Sequence, residues 1–496
     1  MTHFKSLREF IAALDEIGEI QRIDAEVDWD LEIGAVIRHS YDLRAPAPLF
    51  TNIAGYQGTG FRVLGAPGAL SSPEHQLARF AMALGLPADA HGRQIIETLV
   101  AARSRPGIPP VPVDRGTAPC KQNIMLGNDI DLYRFPTPRL HGHDGGRYIQ
   151  TFGMNIVRTP DGSWTNWSVN RMMISDKNTL ACLIADTQHL GVIRAQWAAL
   201  GQPMPIVLAI GVQPGLPLVG GMPLPQGVDE SHYLGVIFGE GIEVVPAETV
   251  DLPVPATAEI VIEGHIAVDE TAMEGPYSEF PGYIATEATP KKAFHVSAIT
   301  YRDEAILPAV VAGPPTEENH VIIGTTSAAE ICYELRAAGL PISSAWYNTE
   351  AALHWLTIGV AADWHETTGM GSHELIDEIA AVIFRGKPSV HAPKTLVVED
   401  DVDITRIDEV VWAFATRSHP DLSRGEFHYP PALSDSLAIY LSDEEKHSFR
   451  TGKVIYNCLL ADLYPDGRPI KGSFENGWPQ EIQDRVLADW QKYGYR

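Results

Sequence analysis

The sequence is poor in cysteine. Only Cys120, Cys182, Cys332 and Cys458 occur in 496 residues, at long spacings and with no C-x-x-C pair. That argues against a disulfide framework or a structural zinc ribbon, and fits idle thiols in a reducing compartment. Positive charge is scarce too: 37 Lys+Arg stand against 63 Asp+Glu, a net charge of -26. A field of that sign repels nucleic acid and anionic lipid, so neither is expected as a general partner. It should also repel an anionic substrate, unless a few buried cations reverse the field locally. Such a reversal is available between residues 132 and 228, where seven Lys/Arg meet four acids.

Long apolar runs are missing as well. Residues 195–228 carry no charge, but six prolines and six glycines interrupt them, so they read as buried strand and loop and not as a membrane span. The opening MTHFKSLREF has no apolar h-region, so no secretory leader is expected and a cytoplasmic location is. There is no G-x-G-x-x-G, Walker A, H-E-x-x-H or G-x-S-x-G. His365-Glu366 lacks the second histidine of a zincin. The acidic run Glu399 to Asp403 reads as a solvated strand end, with a metal site as the alternative.

What is present is ample apolar material. Hydrophobic residues make up 45% and charged residues 20%, which excludes global disorder and permits a large core. The length suggests two to four domains. Ser6 and Glu9 fit a capping box ahead of Leu7, Phe10, Ile11, Leu14 and Ile17 at helical spacing. Helical patterns recur near 75–84 and 94–103, and a proline-rich stretch from Pro106 to Pro112 marks a boundary near 117.

Short apolar runs near 152–158, 206–213, 235–245, 258–268 and 293–300 then have strand spacing, as in an antiparallel sheet or barrel over 118–311. A linking helix follows near 326–338, within 312–338. Helices near 373–385 and 405–417 bracket a strand at 395–399, giving an α/β unit over 339–460. A tail, 461–496, carries a helical pattern near 480–492.

Three polar clusters sit where the chain otherwise looks buried. They are Trp164 to Arg171, Asp186 to His189, and the Gly/Pro-rich loop from Glu274 to Tyr283, with Glu274 and Glu279 five residues apart. Taken singly, an arginine is most often an ion-pair partner, a histidine a core or capping residue, and two loop glutamates solvated. Brought together they could do more. An arginine between carboxylates can hold a substrate carboxylate, and a glutamate in an apolar wall can act as general acid. Asn, His and Glu oxygens and nitrogens suit a divalent cation.

At these residues the sequence resembles the UbiD family of reversible decarboxylases that use prenylated FMN. The likeness runs from Asp30-Leu31-Glu32-Ile33-Gly34-Ala35 through Phe135-Pro136-Thr137-Pro138 and His141 to Ile149. It continues through Asn166 to Arg171, Gln188-His189, Gly227-Val228-Asp229-Glu230, Glu274 to Tyr283 and Glu317-Glu318-Asn319-His320. It ends with Lys394 to Asp403 and Trp412 to Arg417. It points to the branch of ferulic-type and heteroaromatic carboxylate decarboxylases.

The resemblance implies a central split β-barrel that binds the flavin, flanked by an N-terminal α/β portion and a C-terminal α/β dimerisation domain. It implies that Arg171, Glu274 and Glu279 form the catalytic network. It assigns Asn166, His189 and Glu230 to Mn2+ or Mg2+ beside the cofactor phosphate, and the carbonyls of Trp167 and Met222 to K+. Ser168, Val169, Asn170, Gln188, Gly220, Gly221, Met222 and Ile323 would line the cofactor, with Lys394 at its phosphate.

Gly220-Gly221 departs from relatives that often carry hydroxyl side chains there. Ser434-Asp435-Ser436-Leu437 replaces a segment with an aromatic residue in cinnamate-acting relatives. Asp435 would make that wall more polar, unless it lies on a surface loop.

The implied reaction is loss of CO2 from an aromatic, furan-, pyrrole- or indole-type acid, or from an α,β-unsaturated one. It runs through a covalent adduct with the cofactor and ends in protonation by Glu279. A phenylacrylic acid decarboxylase is the alternative, followed by a split-barrel flavin reductase and a flavin-binding partner without catalysis. A flavin prenyltransferase would supply the cofactor, and a homodimer or higher oligomer is expected.

Overall fold

The computed structural model describes residues 3–284, 287–464 and 467–495. Met1 and Thr2, at the head of the segment read as lacking a leader, lie outside them. The first helix, Leu7–Glu16, buries Leu7, Phe10, Ile11 and Leu14 on one face. Ser6 caps it by accepting the N–H of Glu9 at 3.3 Å. Glu9 in turn reaches the N–H of Lys5, at 2.8 Å, so the expected box is offset by one residue.

An N-terminal sheet runs Ile20–Ile23, Ala47–Phe50, Arg62–Gly65, Ile306–Ala309. Its outer pairings are parallel and its middle one antiparallel. The fourth strand comes from far down the chain, which ties this layer to the central sheet.

The central sheet has nine strands and is antiparallel throughout. Its spine is the long pair Ile260–Glu274 and Thr289–Tyr301, paired from Ile260↔Tyr301 to Glu274↔Thr289 with register shifts after Glu263 and after Ile266. Met204–Ile210, Gly153–Arg158 and Thr165–Ser168 extend one side. Thr179–Cys182, Met172–Asp176 and Tyr148–Gln150 extend the other. The sheet curls into a half-barrel. Every residue from Val207 to Ile210 is buried, so both faces of that strand are covered.

The run near 235–245, expected as strand, divides in two. A helix Glu230–Phe238 ends at Gly239, whose φ of +77 lies in the left-handed region, and a short strand Glu243–Pro246 follows. Asp229 caps that helix by accepting the N–H groups of Ser231 and His232. This cap is the physical signal that outweighs the apolar run.

The C-terminal sheet runs Ile342–Tyr347, Trp355–Val360, Lys394–Glu399, Arg450–Asn457, Glu426–Leu433, with a parallel centre and antiparallel edges. Helices Ser372–Ile383 and Ile407–Arg417 accompany it. The helix that leads into it, Glu318–Ala337, starts eight residues earlier than its apolar spacing suggests, because Glu317 and His320 form a reciprocal capping box. Among the described residues no helix is long and apolar enough to cross a membrane.

Candidate active site

Element ends place most of the candidate residues. Glu274 closes the strand Ile260–Glu274, and Glu279 sits in the connection to Thr289–Tyr301. Arg171 lies just before the strand Met172–Asp176. The three meet: Arg171 donates from Nε to Glu274 Oε1 at 2.9 Å and from Nη1 to Glu279 Oε1 at 2.5 Å. The Tyr277 ring lies 4.5 Å from the guanidinium carbon, a cation–π floor. Tyr148 donates its hydroxyl to Glu274 at 2.8 Å and packs its ring 4.4 Å from that of Tyr277.

The loop approaches its neighbour at backbone distance, where Gly145 donates its N–H to the Pro276 carbonyl at 3.0 Å. A Cβ on Gly145 would sit 1.8 Å from the Gly275 carbonyl oxygen, so this approach requires glycine.

The electrostatics follow from burial. Desolvation alone would lower the Arg171 pKa, but Glu279 and Glu274 more than offset it and keep the guanidinium charged. Burial pushes the Glu279 carboxyl above the ordinary range; Arg171 opposes the rise, while Glu274 and Asp435 add to it. Glu274 is the more enclosed carboxylate, at 2% exposure.

A second cluster forms around Glu230, the first residue of its helix. Asn166 Nδ2 donates to Glu230 Oε1 and the Trp167 N–H to Oε2, both at 2.8 Å. His189, the first residue of the helix His189–Ala199, brings Nδ1 to 3.9 Å of Glu230. Its ring meets Trp164 edge-on at 4.9 Å. Burial pushes Glu230 up to about 8 despite the two hydrogen bonds, and drops His189 to about 4, with Lys387 adding to that fall. Asn166 Oδ1 is buried without a hydrogen-bond partner. Among the described residues there is no group of three or more His, Cys, Asp or Glu suited to a metal ion, so any cation here depends on the Asn oxygen.

Around these clusters, Asn170 receives the Ser168 hydroxyl at 3.0 Å and donates to Gln188 at 2.7 Å. Val169 and Ile323 pack partly buried against the core. The Trp167 carbonyl faces Gly220, and the Met222 carbonyl accepts the N–H of Leu224 at 2.9 Å. A Cβ on Gly220 would come within 2.5 Å of Met154, and one on Gly221 within 2.9 Å of Ile322. Bulky neighbours therefore fill the space that small hydroxyl side chains would need.

Lys394 does not join the Glu230 cluster; its ammonium lies 4.9 Å over the Tyr440 ring. The lysine that couples electrostatically to both Glu230 and His189 is Lys387, in the turn Lys387–Ser389. Sequence reading passed over it. The signal available was a lysine seven residues ahead of Lys394, next to a proline.

Asp435 is not a surface residue: its side chain is 10% exposed. Its Oδ2 meets His391 Nδ1 at 3.3 Å, and its Oδ1 accepts the Leu437 N–H at 2.8 Å. Burial would raise its pKa, but the His391 contact holds it below the usual range.

Comparison with known proteins places the whole chain. Three domain profiles of 3-octaprenyl-4-hydroxybenzoate carboxy-lyase match in order: the N-terminal domain at residues 11–99, the Rift-related domain at 111–315 and the C-terminal domain at 320–458. Pyrrole-2-carboxylic acid decarboxylase of Pseudomonas aeruginosa is 41% identical over 490 residues, 98% of each chain. Ferulic acid decarboxylase 1 of Saccharomyces cerevisiae is 37% identical over 495 residues, 99% of this chain and 98% of the other. Among solved structures, an evolved dimeric form of the UbiD-class enzyme HmfF from Pelotomaculum thermopropionicum, in complex with prFMN, superposes with a TM-score of 0.77. It is 27% identical, and the match covers 95% of this chain and 98% of that one.

Proposed function

This chain belongs to the UbiD family of carboxy-lyases. From that premise we propose that it is a reversible, non-oxidative decarboxylase of a furan-, pyrrole- or indole-type acid, working with prenylated FMN. The observation that carries the reading is Arg171 clasped between Glu274 and Glu279 over the Tyr277 ring.

The second cluster fits the phosphate end of such a cofactor. A buried carboxylate, a neutral imidazole and an amide oxygen without a protein partner are a donor set that suits a cation. Mn2+ or Mg2+ on Asn166, His189 and Glu230 would complete them. Lys387 and the N-terminus of the helix His189–Ala199 would meet the phosphate. The carbonyls of Trp167 and Met222 would take K+. Ser168, Val169, Asn170, Gln188, Gly220, Gly221, Met222 and Ile323 would line a flavin held by the central half-barrel, read as one half of a split barrel.

When bound, the prenylated flavin supplies the electron sink that no side chain offers. The chain does the rest. Among the described residues Arg171 Nη2 has no protein partner, which leaves an edge for the substrate carboxylate. Glu274, fixed by Tyr148, holds that guanidinium in place. Desolvation of the substrate carboxylate favours its departure as neutral CO2. Burial keeps Glu279 disposed to hold a proton, which it gives to the carbon: its O–H breaks as the C–H forms on the pair CO2 leaves behind. The buried Asp435–His391 pair would give the substrate wall a polar face, which favours a heteroaromatic ring over a phenylacrylate.

Four buried free thiols suit a cytoplasmic setting, and a flavin prenyltransferase would supply the cofactor there. Exposed Ile470, Trp478, Leu487 and Tyr495 suit burial against a second copy of the chain.

The test is co-expression with a flavin prenyltransferase and a CO2-release screen over furoate, pyrrole-2-carboxylate, indole carboxylates and cinnamate. Heteroaromatic acids should turn over fastest. Glu279→Gln should lose roughly 10²-fold or more in CO2 release and in proton–deuterium exchange of the product. Undiminished turnover by Glu279→Gln overturns the assignment. Faster turnover of cinnamate favours the phenylacrylate alternative, and NAD(P)H consumption without CO2 favours a flavin reductase.

A further inference from the structure

Glu279 sits on a turn whose backbone hydrogen bonds and β-bridge, Ser278↔Ile284, are internal to the turn. Its N–H donates to the Tyr283 carbonyl at 2.9 Å, and the Gly282 N–H returns to the Glu279 carbonyl at 2.9 Å. Besides the Arg171 ion pair on the Glu279 side chain, the next residue ties the backbone of this turn to the protein. The Phe280 carbonyl meets His320 Nε2 at 2.7 Å, and His320 is fully buried in the first turn of the helix Glu318–Ala337. The Phe280 ring stands edge-on between two imidazoles, 6.1 Å from His320 and 5.5 Å from His391.

We propose that His320 is a positioning residue: by donating from Nε2 to the Phe280 carbonyl it fixes the turn that carries Glu279, and with it the reach of the Glu279 carboxyl. The proposal rests on the reading of Glu279 as proton donor.

The hydrogen-bond network sets the ring's tautomer. The backbone N–H of Glu317 donates to His320 Nδ1 at 3.0 Å, so Nδ1 carries a lone pair. The proton of the neutral ring is then on Nε2, facing the Phe280 oxygen. Burial, which drops the His320 pKa to about 4, keeps the ring in that neutral form.

The anchor is itself anchored. Glu318, next to His320's cap, accepts the Tyr41 hydroxyl at 2.7 Å and the Gly68 N–H at 3.2 Å. The turn is thereby registered against the N-terminal layer and the C-terminal unit together. Misplacement of a proton donor by about 1 Å can cost on the order of 10²-fold, so such an anchor has kinetic weight.

His320 also completes a helix cap, and the test must separate the two roles. Glutamine can do both jobs, accepting the Glu317 N–H through Oε1 and donating to Phe280 through Nε2; leucine does neither. Holoenzyme of each variant would be assayed with pyrrole-2-carboxylate and cinnamate, and amide hydrogen exchange of the full chain followed in parallel. His320→Leu should lower kcat roughly tenfold or more with KM changed less than about twofold, and exchange should rise at residues 278–284. His320→Gln should restore kcat to within about threefold of the parent.

Unchanged kcat in His320→Leu overturns the proposal. So does equal loss in both variants, or faster exchange confined to the start of the helix. If His320→Leu does not fold, His320→Asn, too short to reach both partners, takes its place with the same expectations. Glu279→Gln in the same assay keeps the two readings apart: if it turns over like the parent, the role of Glu279 falls, whatever His320 does.

Discussion

At one end of the candidate site Glu274 and Glu279 share Arg171, at 2.9 and 2.5 Å. At the other, among the described residues, Glu230 accepts from the Asn166 amide and the Trp167 N–H and has a neutral His189 at 3.9 Å. Both ends bury carboxylates inside the same half-barrel region, yet among the described residues one has a cation in direct contact and the other has Lys387 only beyond ion-pair distance. Burying a charge without a partner is expensive, so the second arrangement is stable only with a bound positive group or a retained proton. The orphaned Asn166 Oδ1 points the same way.

The comparison is most exposed to a pair of substitutions with opposite signatures. Arg171→Met should lower CO2 release roughly 10²–10³-fold while the purified protein keeps its flavin absorbance. Glu230→Gln should lose flavin and divalent metal together, with affinity down at least about 10–100-fold, and activity should fall in step with cofactor content. Bound flavin and metal, read by absorbance and by elemental analysis, decide the matter. If Arg171→Met sheds the flavin and Glu230→Gln retains it, the two ends have been assigned the wrong way round.

A smaller effect sharpens which lysine belongs to the holding end. Lys387 is coupled to Glu230 and His189, whereas Lys394 lies over Tyr440. Lys387→Met should weaken flavin retention about tenfold, the order of one charge-assisted hydrogen bond, and Lys394→Met by much less. Fluorescence titration of the apoprotein with FMN measures both. The reverse order restores Lys394 to the phosphate.

The Arg171 end was legible in the sequence because its residues stand in short local words. Glu274 and Glu279 share one loop, and Arg171 closes the Trp164 to Arg171 run, so only their convergence awaited the fold. Periodicity likewise placed the long hairpin strands, the α/β order after 339 and the helices near 94–103 and 373–385.

It failed where a capping group outweighs an apolar run. Asp229 turns the stretch after it into a helix that carries Glu230, and Glu317 starts the next long helix well before its apolar stripe begins. Lys387 and His320 were invisible for another reason. His320 meets a carbonyl 40 residues away in sequence, and Lys387 acts on Glu230 across 157 residues through its charge alone; neither spacing nor residue type announces such a pairing.

The smallest effect concerns a buried carboxylate outside both ends, which serves as a control on the comparison. Glu317 is fully buried; it accepts the Asn319 N–H at 2.8 Å and has no arginine within ion-pair distance among the described residues. Burial, with Glu318 adding, pushes it up to about 8. The folded chain therefore holds a proton there that the unfolded chain releases near pH 4.5, the ordinary glutamate value. Where the folded state binds more protons than the unfolded, stability falls as pH rises. The loss should accumulate between about 4.5 and about 8 and level off above that. Glu317→Gln keeps an oxygen for the cap and removes the titration. Its melting temperature relative to the parent should rise by a few degrees from pH 5 to pH 8 in differential scanning calorimetry. A gap that stays constant over that range would mean that Glu317 tolerates its charge without a cation. The inference from an uncompensated Glu230 to a bound metal would then lose its main support.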